Sequence, residues 1–377
     1  MKYRKRRCAS LLACLLALAL TGCSGGGNSQ PATGTTGTET TPGSNSTEAP
    51  TTEQPTDPVT PKDPWHYGTA ENGVMIREIT IDSGKGGDPV TVIQLTDLHL
   101  AAMTEKDLEN PTLASTAKKR LWGANGQFSA NATRSLDYAD SQNPDQIIIT
   151  GDATDYLSEG SMNLLKETVW DRYRDGNGDV SRVLISLGNH ERVQKMQGEV
   201  DETLSAEERE KWVADAWEHD ILYTMRILKD KVMVIQMDNG LARFRDEQVP
   251  LLRDDLALAR EKGYTVLLFF HEPISTGKAA DNDVSASYAG KGSLTSYDFF
   301  TGGTVANAYS QGTNGEIYQL IVNSADIVRG VFCGHLHADF YTEIQAKTPD
   351  GQAKTIPQYV LTGTPYDQGH ALKITVR

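Results

Sequence analysis

Five of the eight histidines in this 377-residue chain stand just beyond short apolar runs. His99 follows VTVIQLTDL, His190 follows SRVLISLGN, His271 follows YTVLLFF, and His335 and His337 close IVRGVFCGHLH. Asp97 lies two residues before His99, Asp152 ends QIIITGD, and Asn189 precedes His190. Imidazole, carboxylate and amide oxygen are donors for Zn, Mn or Fe, and a pair of bound cations is the chemistry that so many donors could serve. Each residue also has an ordinary reading. Asp97 could cap a helix, Asn189 could shape a turn, His271 could be a satisfied buried histidine, and a His-x-His pair arises by chance in many chains. One residue set seldom meets so many geometric roles by accident, so the set as a whole points to a metal site.

The runs that carry these residues are nearly continuous in apolar side chains, the mark of strands covered on both faces. A sixth run of the same kind, KVMVIQMDN, ends without a histidine. Between the runs, residues 162–174, 205–227 and 248–263 have helical patterning. The last of these has acids early, basic residues late, and Gly263 as its stop. Alternating strands and helices predict an α/β layered fold, and open α/β sheets bind ligands beyond the carboxyl ends of their strands. The polar clusters fall at that edge.

In type and order, Asp97-Leu98-His99, Gly151-Asp152, Gly188-Asn189-His190-Glu191, His271 and Gly334-His335-Leu336-His337 resemble the motifs of the calcineurin-like metallophosphoesterases. The resemblance runs from about residue 90 to the end of the chain. It implies a four-layer α/β/β/α sandwich of two mixed sheets and a hydrolase acting on phosphomonoesters or phosphodiesters through a hydroxide bridging two metal ions, Mn, Zn or Fe. It places Asp97, His99, Asp152 and His337 on one metal and Asp152, Asn189, His271 and His335 on the other, with Asp152 shared. His190 is then the catalytic histidine beside the scissile bond, acting as an acid or stabilising the transition state. Asp155, matching the second acid of a G-D-x-x-D pattern, is its expected partner. The chain departs from two branches of the family. Tyr156 stands where protein phosphatases have a phosphate-holding arginine, and Asp155 stands where purple acid phosphatases have a metal-bound tyrosine. Glu191 is expected to hold its loop, Cys333 to pack in the core, His370 to face solvent, and DGNGD at 175–179 to form a polar turn. The polar stretch 275–311 is expected to overhang the site and set specificity.

Composition adds a location. MKYRKRRCASLLACLLALALTGC has a basic start, an apolar run too short to span a membrane, and small residues before a cysteine. Leu20, Thr21, Gly22 and Cys23 resemble a bacterial lipobox, so residues 1–22 read as a lipoprotein signal peptide and Cys23 as the lipid-bearing residue. Residues 23–64 would form a disordered Ser/Thr/Pro/Gly-rich tether, with the catalytic domain over 65–377. The protein is thus expected to be exported and anchored through lipid at the outer face of a bacterial cell membrane. Loss of residues 1–22 removes five basic residues and no acid, taking the formal charge from −14 to about −19, which makes nucleic acid an unlikely partner. Of four cysteines, only Cys333 lies beyond residue 23, so no internal disulfide framework is expected. A surface-anchored binding protein for phosphate ligands, with the fold but without turnover, is the alternative from another class; it leaves His190 without a purpose.

Overall fold

The computed structural model describes residues 66–67, 70–124, 127–194, 204–240, 243–274, 312–364 and 368–377. The expected signal peptide, the whole 23–64 tether and the 275–311 stretch lie outside them. Two six-stranded sheets are present. The first has the order β1-β2-β12-β3-β4-β5, formed by His66–Tyr67, Val74–Ile81, Gly369–Val376, Val90–Leu95, Gln146–Thr150 and Val183–Ser186. The second has the order β10-β11-β9-β8-β7-β6, formed by Phe340–Lys347, Ala353–Val360, Val328–Cys333, Thr265–Phe269, Val232–Met237 and Tyr223–Leu228. In the first sheet β3, β4 and β5 run parallel, β12 is antiparallel to β3 and parallel to β2, and β1 is antiparallel to β2; in the second, β7, β8, β9 and β11 run parallel, with β6 and β10 antiparallel at its edges.

Three apolar clusters explain why the parallel strands carry almost no polar residues. Val92, Ile148, Leu184, Val234, Phe269 and Phe332 meet between the sheets. Ile93, Ile147, Ile149 and Ile185 face away, against Leu136, Leu165 and Trp170 of the helical layer on the first sheet. Met233, Ile235 and Leu268 face Leu252, Leu256, Ile317 and Ile321 on the second. A strand buried on both faces needs apolar side chains at every position, and three interfaces make four layers, α/β/β/α, as expected.

The helices in chain order are α1 (Glu105–Glu109), α2 (Pro111–Ala124), α3 (Gln127–Ser141), α4 (Glu159–Leu165), α5 (Asp171–Tyr173), α6 (Ala206–Ala216), α7 (Gln248–Lys262) and α8 (Gly312–Val322), with a π-helical turn, Lys166–Trp170, joining α4 to α5. The patterning of 162–174 corresponds to α4 through α5, and α7 ends with Gly263 at φ 67° as its stop residue requires. The 205–227 expectation is corrected. Helix α6 starts from a Ser205/Glu208 capping box and ends at Ala216. Beyond it the Asp220 carboxylate accepts the amides of Leu222 and Tyr223, forming a turn that launches β6. In β6, Tyr223, Met225 and Ile227 pack on one face in strand alternation, a period the helical reading of that segment overlooked. No helix among the described residues is long and apolar enough to cross a membrane.

Candidate metal and phosphoryl-transfer site

The loops leaving β3, β4, β5, β8 and β9 converge at one edge of the sandwich. Main-chain bonds extend the sheet into them: Asp97 N–H donates to Gly151 O at 3.0 Å, His99 N–H to Asp152 O at 2.9 Å, and Gly334 N–H to His271 O at 2.9 Å. Side chains leave these loops from an unusual backbone. Asp97, His99, Asp152, His335 and His337 all have positive φ, between 47° and 72°. Left-handed conformations cost energy for residues with a Cβ, and here they aim five donors at one volume. The neighbouring glycines leave the space. A Cβ on Gly188 would overlap Asp152 Oδ1, and one on Gly334 would overlap Thr96 Oγ1 and Asp97 Oδ2.

Two clusters of donors share Asp152. In the first, Asp97 Oδ1 lies 3.0 Å from His337 Nε2, and His337 Nε2 lies 3.0 Å from His99 Nε2. In the second, His271 Nε2 lies 3.2 Å from both Asp152 Oδ2 and Asn189 Oδ1, and 3.1 Å from His335 Nδ1. Asp152 Oδ2 stands between the clusters, 4.0 Å from His99 Nε2. Asp152 Oδ1 is turned away to accept the His190 amide at 3.0 Å.

The tautomers show what these atoms are for. His271 Nδ1 faces the Thr150 carbonyl at 2.8 Å, and a carbonyl only accepts, so Nδ1 carries a proton and the Nε2 lone pair points into the site. His99 Nδ1 donates to the Asp155 carboxylate at 2.8 Å and presents Nε2 in the same way. Such outer hydrogen bonds orient metal-ligating histidines. Asp97 spends Oδ2 on the Thr96 hydroxyl and the His335 amide and directs Oδ1 inward. Ring nitrogens and carboxylate oxygens that face one another at about 3 Å must share protons or a cation, and this donor set fits the two metal ions implied by the sequence.

Electrostatics agree. Burial opposes charge on His99 and His271, yet hydrogen bonding to Asp155 and Asp97 for the first, and the charge of Asp152 for the second, raise each to about 10. Burial would raise Asp97 and Asp152, but the histidines facing them hold both carboxyls well below the usual range. Burial and the neighbouring His271 push His335 down to about 3. Without a metal the pocket favours protons on His99 and His271, which metal binding would displace to free their Nε2 atoms, while His335 stays neutral.

His190 is placed differently. Its Nδ1 donates to the Asp155 main-chain carbonyl at 2.7 Å, which turns Nε2 toward the site, 3.9 Å from Asp152 Oδ2. Its side chain is 15% exposed, against 1% for His99 and none for His271, so a substrate could touch it. The expected pairing with Asp155 takes an altered form: the carboxylate lies 3.5 Å from His190 Nδ1, while its short bonds go to His99 and to Arg120. Arg120 was not foreseen, since it sits on α2, far from any motif.

Glu191 holds its loop as expected, its carboxylate accepting the amides of Gly188, Asp152 and Thr154. Cys333 is buried in the core of the second sheet. DGNGD is a polar turn in which Asp175 Oδ1 accepts the amides of Asn177 and Asp179. His370 is a correction: it is buried, because β12 is an interior strand and its first residues pack against α3, where Ser135 Oγ bonds the His370 amide. Tyr156 is fully buried and cannot reach a substrate. The sixth strand end supports the others. Asn239 Oδ1 accepts the amides of His271 and Glu272, and Asp238 binds Arg192 at 2.6 Å, next to the 188–191 loop. A polar strand end in register with five metal-capable ones was the signal that could have found them.

A two-sheet α/β sandwich with seven side chains able to ligate metal and one more open histidine at its strand ends is the architecture of a dinuclear phosphoesterase. Residues 90–339 match the profile of the calcineurin-like phosphoesterases, and the chain belongs to that family. It is a hydrolase acting on phosphate esters, and the family is dimetal-dependent. Among solved structures, a dimetal phosphatase from Danio rerio aligns at 13% identity and a TM-score of 0.38, over 74% of this chain and 89% of that one. A putative 5'-nucleotidase from Staphylococcus aureus aligns at 12% identity and a TM-score of 0.37, over 74% of this chain and 49% of that one. A search of curated proteins found no match.

Proposed function

We propose that the protein is an exported, lipid-anchored enzyme that hydrolyses phosphomonoesters or phosphodiesters, with Asp97, His99, Asp152 and His337 holding one cation and Asp152, Asn189, His271 and His335 the other. The observation that carries this is the Asp152 carboxylate, whose Oδ2 lies between two groups of inward-facing donors. When bound, two cations at such a site supply charge neutralisation for a phosphoryl group and an activated hydroxide near neutral pH. Mn, Zn and Fe all suit these donors.

The chain's own residues supply the rest. With Nδ1 committed to a carbonyl, His190 offers only Nε2 to a bound ester, as the proton donor to a departing oxygen or as its partner in charge. Burial opposes the imidazolium, but Asp152 and Asp155 favour it and raise the pKa of His190, which suits a donor. Only two of the seven proposed ligands are anionic, so the loaded site keeps positive charge for a phosphate despite the acidic body of the molecule.

Residues 24–377, chelated and then resupplied with Mn, Zn or Fe, should turn over p-nitrophenyl phosphate or bis-p-nitrophenyl phosphate, and the preferred ester separates monoesterase from diesterase. A folded protein that binds two ions and cleaves neither ester would move the assignment to the phosphate-binding alternative.

A further inference from the structure

The carboxylate of Asp155 is completely buried and touches both sides of the site. One oxygen receives His99 Nδ1 at 2.8 Å and lies 3.5 Å from His190 Nδ1, while the main-chain carbonyl of the same residue receives His190 Nδ1. A proposed metal ligand and the proposed proton donor therefore take their orientation from one residue. What fixes that residue is Arg120. Its Nε donates to Asp155 Oδ2 at 2.8 Å and its Nη2 to Oδ1, a two-pronged pair that sets the plane of the carboxylate as well as its position. One helical turn earlier on α2, Thr116 Oγ1 donates to the carbonyl of Gln194 at 2.9 Å. The two side chains share a face of α2, so the helix grips the loop after β4 and the segment following His190 together.

We infer that Arg120 is a positioning residue of the phosphoesterase site, acting through Asp155 to hold His99 and His190 in register. The assignment rests on the two-metal reading given above. Tyr156 leaves the chain without an arginine directly after Asp155, and α2 brings one to Asp155 from 35 positions upstream. Nε and Nη2 of the guanidinium both bond a carboxylate with no exposure, the arrangement of a positioning residue rather than of one that meets a substrate directly. Lysine could supply the charge but not the fork.

The test measures metal binding and turnover in residues 24–377 carrying Arg120→Met, Arg120→Lys, Asp155→Asn, and Arg120→Met with Asp155→Asn. Mn²⁺ titration of the metal-free protein, followed by the electron paramagnetic resonance of free Mn²⁺, gives affinity without reference to activity, and p-nitrophenyl phosphate gives kcat and KM. Arg120→Met should weaken Mn²⁺ about 10- to 100-fold, as loss of an outer-shell partner does, and lower kcat with KM changed less than about threefold. Arg120→Lys should recover part of the affinity and little of kcat. In the Asp155→Asn background, Arg120→Met should add less than about twofold to either loss, since the group it acts through has been removed. Should Arg120→Met fail to fold because it strands a buried charge, the lysine variant and the double variant carry the comparison. Losses that multiply fully in the double variant, or a raised KM with intact Mn²⁺ affinity, would overturn the inference and place Arg120 on the substrate. A parent protein that binds none of Mn²⁺, Zn²⁺ and Fe²⁺ would instead overturn the two-metal reading itself.

Discussion

At the scale of single residues, the site is built from conformations that a chain avoids unless something is gained. Five proposed ligands sit in the left-handed region, and four of them are locked by a bond from their own amide: Asp97 to Gly151, His99 to Asp152, Asp152 to Glu191 and His335 to Asp97. Strain of about 1 kcal/mol or more at each such position persists only where surrounding structure holds it. The roles of Asp152 and His190 then separate cleanly. Asp152→Asn keeps the shape but removes the charge shared by both clusters, so two-ion occupancy should fall at micromolar Mn²⁺, read as metal per protein after gel filtration. His190→Ala should leave that ratio at the parent value and reduce kcat by about 10²- to 10⁴-fold, the usual scale of a positioned proton donor. The loss should be largest for alkyl phosphates, whose leaving oxygen needs the proton most. A His190→Ala enzyme as fast as the parent on an alkyl ester would remove the acid role.

At the scale of elements, the strands that carry chemistry were legible because burial on both faces leaves an unbroken apolar signal. The same rule hid the others. Strand β2, VMIREITI, and strand β11, AKTIPQYV, alternate or carry Pro357, and β12 reaches its interior place by pairing with β2 and β3 from the far end of the chain, which no local pattern announces. The five motif blocks were legible for a chemical reason, since metal donors at strand ends have few substitutes. Asp238, Asn239 and Arg120 were not, because ordinary polar residues acquire their partners only in three dimensions. His219 belongs with these. Strand β5 is the edge of the first sheet, and the segment after α6 covers it: His219 Nε2 accepts the Ile185 amide at 2.9 Å, and Trp217 Nε1 donates to the Ile185 carbonyl at 3.2 Å. With Nδ1 donating to the Asp220 carbonyl, the ring is held neutral, and burial pushes it down to about 4. The unfolded chain takes up this proton near pH 6.5 and the folded one only near pH 4, so stability should decline as pH falls through that window. For a half-buried ring the cost is on the order of 2 kcal/mol by pH 4.5. Urea unfolding of His219→Gln, whose amide oxygen can accept the same N–H, should show a loss between pH 7 and 4.5 smaller than the parent's by about that amount. Equal losses would mean that the ring is already protonated in the fold.

At the scale of the whole molecule, the acidic body and its phosphate-binding chemistry pull in opposite directions. A formal charge of −14 over the chain repels anions at long range. Screening confines that repulsion to roughly 8 Å at physiological salt, so an ester reaching the strand-end edge meets the local field of the site rather than the field of the body. The proposed anchor bears on the same balance. A tether of about 40 residues would hold the catalytic domain within some 35 Å of the lipid, close to a membrane surface on which phosphate-bearing molecules concentrate. Cys23 is the residue on which this depends, because it alone stands after Leu20-Thr21-Gly22 at the end of the apolar run. In a bacterial host producing the full chain, the parent should incorporate labelled palmitate and sediment with membranes. Cys23→Ser should lose the label and most of the membrane-bound fraction. Its turnover of p-nitrophenyl phosphate per folded molecule should equal the parent's, since none of the proposed site residues precedes Asp97. A Cys23→Ser protein that still carries palmitate, or that remains with membranes as fully as the parent, would break the link between residues 1–23 and anchoring while leaving the hydrolase assignment where the strand ends put it.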